Sequence, residues 1–102
     1  MNKHDSYVSE MWAWQSRQLD LYRSKSYLEL MSLPKATQLS APEKFRKYRF
    51  MLLREEGENG GVKISICHYQ RFLLIFNASC GVSFEMMSNG IIVDDTEESP
   101  ED

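Results

Sequence analysis

The stretch of sequence that decides the fold covers residues 62–94 and reads VKISICHYQRFLLIFNASCGVSFEMMSNGIIVD. Apolar and polar residues alternate after Val62 and again over 82–87, which is the pattern of half-buried strands. The run 72–76 is apolar throughout and favours a central strand, whereas 77–81 is predicted to be a loop. The whole stretch therefore predicts antiparallel strands joined by short turns.

The sharpest local signal in this stretch is the dipeptide Asn89-Gly90, which lies between two apolar runs. This dipeptide favours a two-residue turn in which both central residues have positive φ. The turn predicts a final strand at 91–93 that pairs with the strand before it.

Upstream of the sheet, residues 6–24 are predicted to form a helix with Ser6 as its N-cap. Its apolar side chains fall on two adjoining stripes of the helix surface. One stripe holds Val8, Met11, Trp12, Leu19 and Tyr22, and the other holds Tyr7, Trp14 and Leu21. We expect one tryptophan of the pair Trp12 and Trp14 to lie in the core and the other to cover its edge. The alternative is an aromatic binding face.

A second helical segment is indicated by Ser26 and Glu29, which have the spacing of a capping box, and it must end before Pro34. The pattern leaves open whether residues 6–33 form one bent helix or two helices. Residues 34–42 are predicted to be a connector, with one helical turn beginning near Pro42.

The remaining strand is predicted at 45–56, and the glycine-rich segment 57–61 then turns the chain back. The predicted fold is α+β, with one or two N-terminal helices packed on an antiparallel meander of about five strands. Residues 1–93 would form a single domain, and residues 94–102 a disordered tail.

Charge is distributed unevenly along this chain of 102 residues, whose formal net charge is −3. Six of its fifteen acids lie in the last nine residues. They are Asp94, Asp95, Glu97, Glu98, Glu101 and Asp102. Without them, twelve cations face nine acids, so the predicted domain is slightly basic and its tail acidic.

The sequence predicts a cytoplasmic protein with no membrane segment. No apolar run near Met1 is long enough for a signal peptide, and none elsewhere could span a bilayer. The two cysteines, Cys67 and Cys80, are too few for a secreted disulfide framework, and we expect them to be small apolar fillers in a reducing compartment.

Four residues are the candidates for catalysis, namely Cys67, His68, Cys80 and Glu85. Cys67 and His68 are adjacent on a strand, so their side chains should diverge. Glu85 would become a site candidate if it faced the interior, where desolvation raises a carboxyl pKa. The spacing of cysteines and histidines does not fit a zinc site. We therefore expect no catalytic residues, no metal and no cofactor.

Four cations are interleaved with three aromatic residues over 44–50. If this segment is a strand, Arg46, Tyr48 and Phe50 share one side, while Phe45, Lys47 and Arg49 share the other. Rings beside cations are typical of surfaces that bind single-stranded nucleic acid. The competing interpretation is an edge strand whose rings point inward and whose cations discourage pairing with other strands.

Three functional hypotheses follow from these patterns. The preferred one is a non-catalytic module that binds a protein partner or a second copy of itself, because the helix has a wide apolar arc. A homodimer is expected in the second case. The first alternative is a nucleic-acid-associated accessory protein, and the second is a small cysteine-dependent enzyme. Trp12, Trp14, Arg46, Lys47, Tyr48 and Arg49 are the residues predicted to take part in an interaction.

Overall fold

A computed structural model describes residues 3–70 and 79–94, with side chains described for 6–69 and 81–93. It confirms an α+β fold in which a five-stranded antiparallel sheet carries helices on one face. The helices are α1 (Lys3–Arg23) and α2 (Tyr27–Met31), and a 3₁₀ turn covers Glu43–Phe45. The strands are β1 (Ala36–Leu39), β2 (Tyr48–Glu56), β3 (Val62–Gln70), β4 (Ser79–Met86) and β5 (Ile92–Asp94).

Two sequence predictions fall wholly or mainly on residues that the structure does not describe. The strand predicted at 72–76 lies outside the described residues, and so does the tail from residue 95 onward. The predicted start of the tail at Asp94 is wrong, because Asp94 is the last residue of β5.

The five strands of the sheet lie in chain order, from β1 at one edge to β5 at the other. The prediction of a plain connector over 34–42 is wrong, because Ala36–Leu39 pairs with β2 in the register Thr37 opposite Leu52. Exposed and half-buried residues alternate along β1. Its four residues carry little hydrophobic signal, and the pairing with β2 is what makes them a strand.

The turn at Asn89-Gly90 is a three-residue loop, not the predicted two-residue turn. Met87 N–H donates to the Ile91 carbonyl at 2.8 Å, and Gly90 N–H donates to the Met87 carbonyl at 2.8 Å. Gly90 has a φ of 91°, and among the described residues only glycines have positive φ. In this turn class a type I turn is followed by one left-handed residue, so only Gly90 needs the left-handed conformation.

The chain between residues 6 and 33 forms two helices, which settles the alternative that the sequence left open. The predicted N-cap at Ser6 is wrong, since α1 already includes Lys3. The predicted capping box is confirmed: Glu29 N–H donates to Ser26 Oγ at 3.2 Å, and Ser26 N–H donates to Glu29 Oε1 at 2.8 Å. Ser26 is extended, with a ψ of 165°, so the helix cannot continue through it.

The core lies between the helices and one face of the sheet, and it has two parts. An aliphatic part forms around Leu19, Leu30, Leu52, Val62, Ile64, Ile66, Phe84 and Met86. An aromatic part forms around Met11, Trp14, Phe45 and Phe50. The opposite face of the sheet carries no helix in the described part of the chain. No helix in that part is both long enough and apolar enough to cross a membrane.

Candidate interaction surface

The basic and aromatic segment 44–50 is not one continuous strand. Glu43–Phe45 is a 3₁₀ turn, and β2 begins at Tyr48, so the predicted alternation of sides from Phe45 to Arg49 is wrong. Pro42 precedes the turn, and its fixed φ favours a helical start. β2 is also not an edge strand, because β1 covers it.

Two of the three rings in this segment belong to the core. Phe45 and Phe50 are each only 1% exposed, and they pack with Trp14. The Trp14 and Phe50 rings meet edge to face with centroids 4.9 Å apart, an arrangement that aromatic pairs prefer. Tyr48 is half-buried, so it is the ring of this segment that keeps access to solvent.

The cations of the segment are spread around the start of β2. Lys44 donates to Glu10 at 2.9 Å, and Arg46 lies 3.3 Å from Glu43 in an exposed ion pair. Lys47 and Arg49 have no acidic partner within the described part of the chain. Exposed pairs of this kind add at most about 1 kcal/mol to stability.

A notch of about 230 Å³ lies where β1 ends and β2 begins. Arg46, Tyr48 and Arg49 are among its lining residues. The structure therefore brings three of the predicted interaction residues to one depression, while Lys47 is exposed in the chain between the 3₁₀ turn and β2.

The two tryptophans lie in different environments, and Trp14, one of the predicted interaction residues, is not at the surface. Trp14 is buried in the aromatic part of the core, whereas Trp12 is 38% exposed and lies against β4. A Cβ atom at Gly81 would collide with the Trp12 ring, so the ring lies directly on the backbone of β4. Gly81 is the extra residue of a β-bulge, because Ile66 pairs with Val82 and Cys67 with Cys80.

Sequence reasoning missed Gln15, a fully buried polar residue on α1. Its Nε2 donates to the Ile66 carbonyl at 3.4 Å, beside the point where the bulge shifts the register. Gln15 thus gives the Ile66 carbonyl a hydrogen-bond donor at the point where the β3–β4 ladder is irregular. Nothing in the sequence around Gln15 signals this role, because its partner is 51 positions away.

His68 and Tyr7 lie beside the aromatic part of the core, next to Tyr48. The His68 and Tyr48 ring centroids are 5.4 Å apart, and His68 Nδ1 is buried without a hydrogen-bond partner among the described residues. Burial lowers the pKa of His68 from its ordinary value, because desolvation disfavours the charged imidazolium. Burial, followed by the nearby Tyr48 hydroxyl, raises the pKa of Tyr7.

Glu85 faces the interior of a turn and is 5% exposed. Its carboxylate accepts hydrogen bonds from Gly61 N–H at 2.7 Å, from Asn59 N–H at 3.0 Å and from Asn59 Nδ2 at 3.0 Å. A buried carboxylate held by three donors fastens the β2–β3 turn to β4.

The interpretation of Cys67 as a free apolar filler is wrong, because its sulfur is in a disulfide and no described cysteine is free. The chain has one other cysteine, Cys80, and the register places it directly opposite Cys67 on β4. Opposed residues on antiparallel strands are close enough for a disulfide. In this form the Cys67 sulfur is not a nucleophile. Disulfides persist mainly in oxidising compartments, so cytoplasmic location stays a prediction.

Potential metal ligands do not assemble in the described ranges 3–70 and 79–94. Those ranges contain no group of three or more histidine, cysteine, aspartate or glutamate side chains that could hold an ion.

The most exposed apolar side chains of the sheet lie at its β5 edge. Ile91 is 59% exposed and Val93 is 42% exposed, and Val93 pairs with Glu85. Alternate residues of a strand share a face, so Ile91 and Val93 both lie on the face without helices, whereas Ile92 points to the helix side. We refer to Ile91, β5 and the adjoining cleft on the helix side together as the β5 surface.

A cleft of about 690 Å³ adjoins β5 on the helix side of the sheet. One wall comes from the start of α2 and the residues before it, and the other comes from the β4–β5 hairpin. The walls include Lys25, Tyr27 and Leu28 on one side and Met86, Gly90 and Ile92 on the other. Leu28 is 74% exposed at its rim, so the cleft offers apolar surface to a side chain from outside.

The two edges of the sheet differ in how they are protected. The β1 edge is flanked by Pro34, Lys35 and Pro42, and prolines and lysines are devices that hinder strand pairing. β5 reads Ile92-Val93-Asp94 and follows Ile91, and this edge carries neither proline nor lysine. The β5 edge is therefore the better template for an added strand.

Comparisons with protein-family models, with curated proteins and with solved structures found no match for this chain.

Proposed function

We propose that this protein is a non-catalytic interaction module that binds an extended polypeptide segment at its β5 surface. The observation that carries the proposal is the apolar β5 edge, which no strand covers in the described part of the chain and which adjoins an apolar cleft. Large exposed apolar residues that cluster in this way mark interaction sites more often than scattered ones do.

The backbone of β5 supplies groups for an added strand. Met87 N–H bonds to the Ile91 carbonyl, and hydrogen-bonded and non-hydrogen-bonded pairs alternate along an antiparallel ladder. Glu85 and Val93 are therefore the next hydrogen-bonded pair. The N–H and C=O of Ile92 and of Asp94 then point away from β4, toward an incoming segment.

Side chains on both faces of an added strand would find apolar surface. Residues on the helix side would lie over the cleft beside Ile92 and Leu28, and those on the other side would lie beside Ile91 and Val93. This arrangement favours a segment with apolar side chains at successive positions and without proline.

A peptide selection tests the proposal. Random peptides of roughly ten residues, enough to form a full strand, are selected on the wild-type protein. They are then measured on Asp94→Pro, which removes an outward N–H of β5. Gln38→Pro is the matched control: Arg54 N–H bonds to the Lys35 carbonyl, so the Gln38 N–H points outward on β1. We expect peptides to lose binding to Asp94→Pro alone, and equal binding to all three proteins would contradict the proposal.

A second candidate function is binding of single-stranded nucleic acid around the notch that Arg46, Tyr48 and Arg49 line. Lys47 and Arg49 favour it, because neither has an acidic partner in the described part of the chain. Burial of Phe45 and Phe50 leaves Tyr48 as the ring of this segment open to stacking. Titration of fluorescent oligothymidine and oligouridine at rising salt tests it. Affinity that falls steeply with salt and drops in Arg49→Gln would favour this candidate.

A further inference from the structure

The partner that best fits the β5 surface is a second copy of this chain. We infer that two copies pair their β5 strands antiparallel, with Ile92 of one copy opposite Ile92 of the other, to give one continuous sheet. This inference rests on the proposed function, since it names the segment that the β5 surface binds.

The backbone of β5 is self-complementary in this register. Ile92 offers one N–H and one C=O outward, so two copies related by a two-fold axis exchange a pair of hydrogen bonds between these residues. The same patch then serves both copies, as closed dimers require.

The side chains also match in this register. Val93 of each copy would lie beside Ile91 of the other, on the face without helices. These are the two most exposed apolar residues of the hairpin and strand, and pairing would remove both from water. β-branched side chains pack well against their neighbours on the pleated surface of a sheet.

Charge complementarity further supports a second copy. β5 ends with the acidic residue Asp94. In the inferred register, Asp94 comes opposite Gly90 of the other copy, and Gly90 lines the same cleft as Lys25. The Lys25 ammonium lies 6.0 Å from the centroid of the Tyr22 ring and has no acidic partner in the described part of its own chain. The acidic residue Asp94 of one copy would therefore lie at the same cleft as the Lys25 cation of the other.

The protected β1 edge explains why association would stop at two copies. Pairing of β5 with β1 would leave a β1 edge at one end and a β5 edge at the other, so further copies could be added. Pairing of β5 with β5 covers the β5 edge of both copies. Pro34 and Pro42 beside β1 discourage the first arrangement.

Analytical ultracentrifugation of charge-swapped variants tests the inference. Ile91→Lys and Ile91→Glu each place like charges near the two-fold axis, while a mixture of the two variants places opposite charges there. Gln38→Lys adds the same charge to an exposed position of the opposite edge and is the control. Thermal unfolding of each variant confirms that it is folded.

We expect the wild type and Gln38→Lys to form weak dimers with a dissociation constant between about 1 μM and about 1 mM, as is typical of small interfaces. Either Ile91 variant alone should weaken the dimer about tenfold or more, and mixing them should restore a heterodimer. A wild type that stays monomeric throughout, or a mixture that associates no better than each variant alone, would overturn the inference. Peptide binding lost in Asp94→Pro with a monomeric wild type would overturn the dimer and keep the proposed function.

Discussion

The Glu85 carboxylate on β4 accepts the backbone N–H of Gly61, at the end of the β2–β3 turn, at 2.7 Å. The turn also donates two hydrogen bonds from Asn59, and a Cβ atom at Gly57 would collide with the same carboxylate. The buried Glu85 carboxylate thus holds the β2–β3 turn in place, and the missing Cβ atom of Gly57 leaves room for that carboxylate. The acid that the sequence marked as a conditional catalytic candidate has its oxygens engaged by the backbone of its own chain.

Replacement of this acid should therefore reduce stability. Glu85→Gln keeps the shape but turns one acceptor oxygen into a donor that faces N–H groups, and we expect a loss of about 1–3 kcal/mol in the free energy of unfolding. Urea denaturation measures this loss. Glu58→Gln, an exposed acid of the same turn, is the control and should change stability by less than about 0.5 kcal/mol. Equal effects of the two substitutions would contradict the assigned role.

The contact between Trp12 and the bulge at Gly81 gives a second prediction. Gly81→Ala should displace the indole ring and cost about 1–3 kcal/mol, as overpacking does. The emission of Trp12 should move toward that of a solvated indole, which fluorescence of a Trp14→Phe background can isolate. In a Trp12→Ala background the same glycine substitution should cost much less, and an undiminished cost would refute the contact.

The disulfide at Cys67 gives a third prediction. A loop of roughly 15 residues closed by a disulfide stabilises a fold by about 3 kcal/mol in the chain-entropy account. Addition of dithiothreitol should therefore lower the melting temperature of the wild type, and Cys67→Ser should melt at the lower temperature whether or not the reductant is present. Thiol titration of the unfolded, unreduced protein should find no free thiol. Two titratable thiols would show that the bond is absent.

Stability should also depend on pH through His68. The pKa of His68 is lowered in the folded protein. Below about pH 6.5 the unfolded chain therefore binds a proton at His68 that the folded chain does not bind. The free energy of unfolding should consequently fall as the pH drops below 6.5, by at most about 1.4 kcal/mol per pH unit. His68→Phe removes the titrating group and should flatten this region of the stability curve. An unchanged slope in the variant would assign the pH dependence to other groups.

Sequence reasoning succeeded where structure depends on neighbours along the chain. The capping box joins Ser26 and Glu29, which are three positions apart, and the 3₁₀ turn after Pro42 covers three residues. Sequence reasoning failed where contacts with residues far along the chain determine the local structure. Asn89-Gly90 fits two turn classes, and the pairing of Met87 with Ile91 selects between them.

The same limit applies to the candidate site. The burial of Phe45 and Phe50 follows from packing against Trp14, about thirty positions earlier, and no alternation within 44–50 could reveal it. The β5 surface was missed for a related reason. Its apolar residues read as an ordinary closing strand, and only the order of strands in the sheet shows that they form an edge.

Amide hydrogen exchange at Ile92, followed by NMR as a function of protein concentration, tests the central claim most directly. The Ile92 N–H points away from β4, so it should exchange quickly in dilute protein and slow markedly as the β5 edges pair. The Val93 N–H, bonded within the sheet, and the Gln38 N–H on the β1 edge should show no such dependence. Exchange at Ile92 that is slow in dilute protein, or that stays fast at every concentration, would contradict the account.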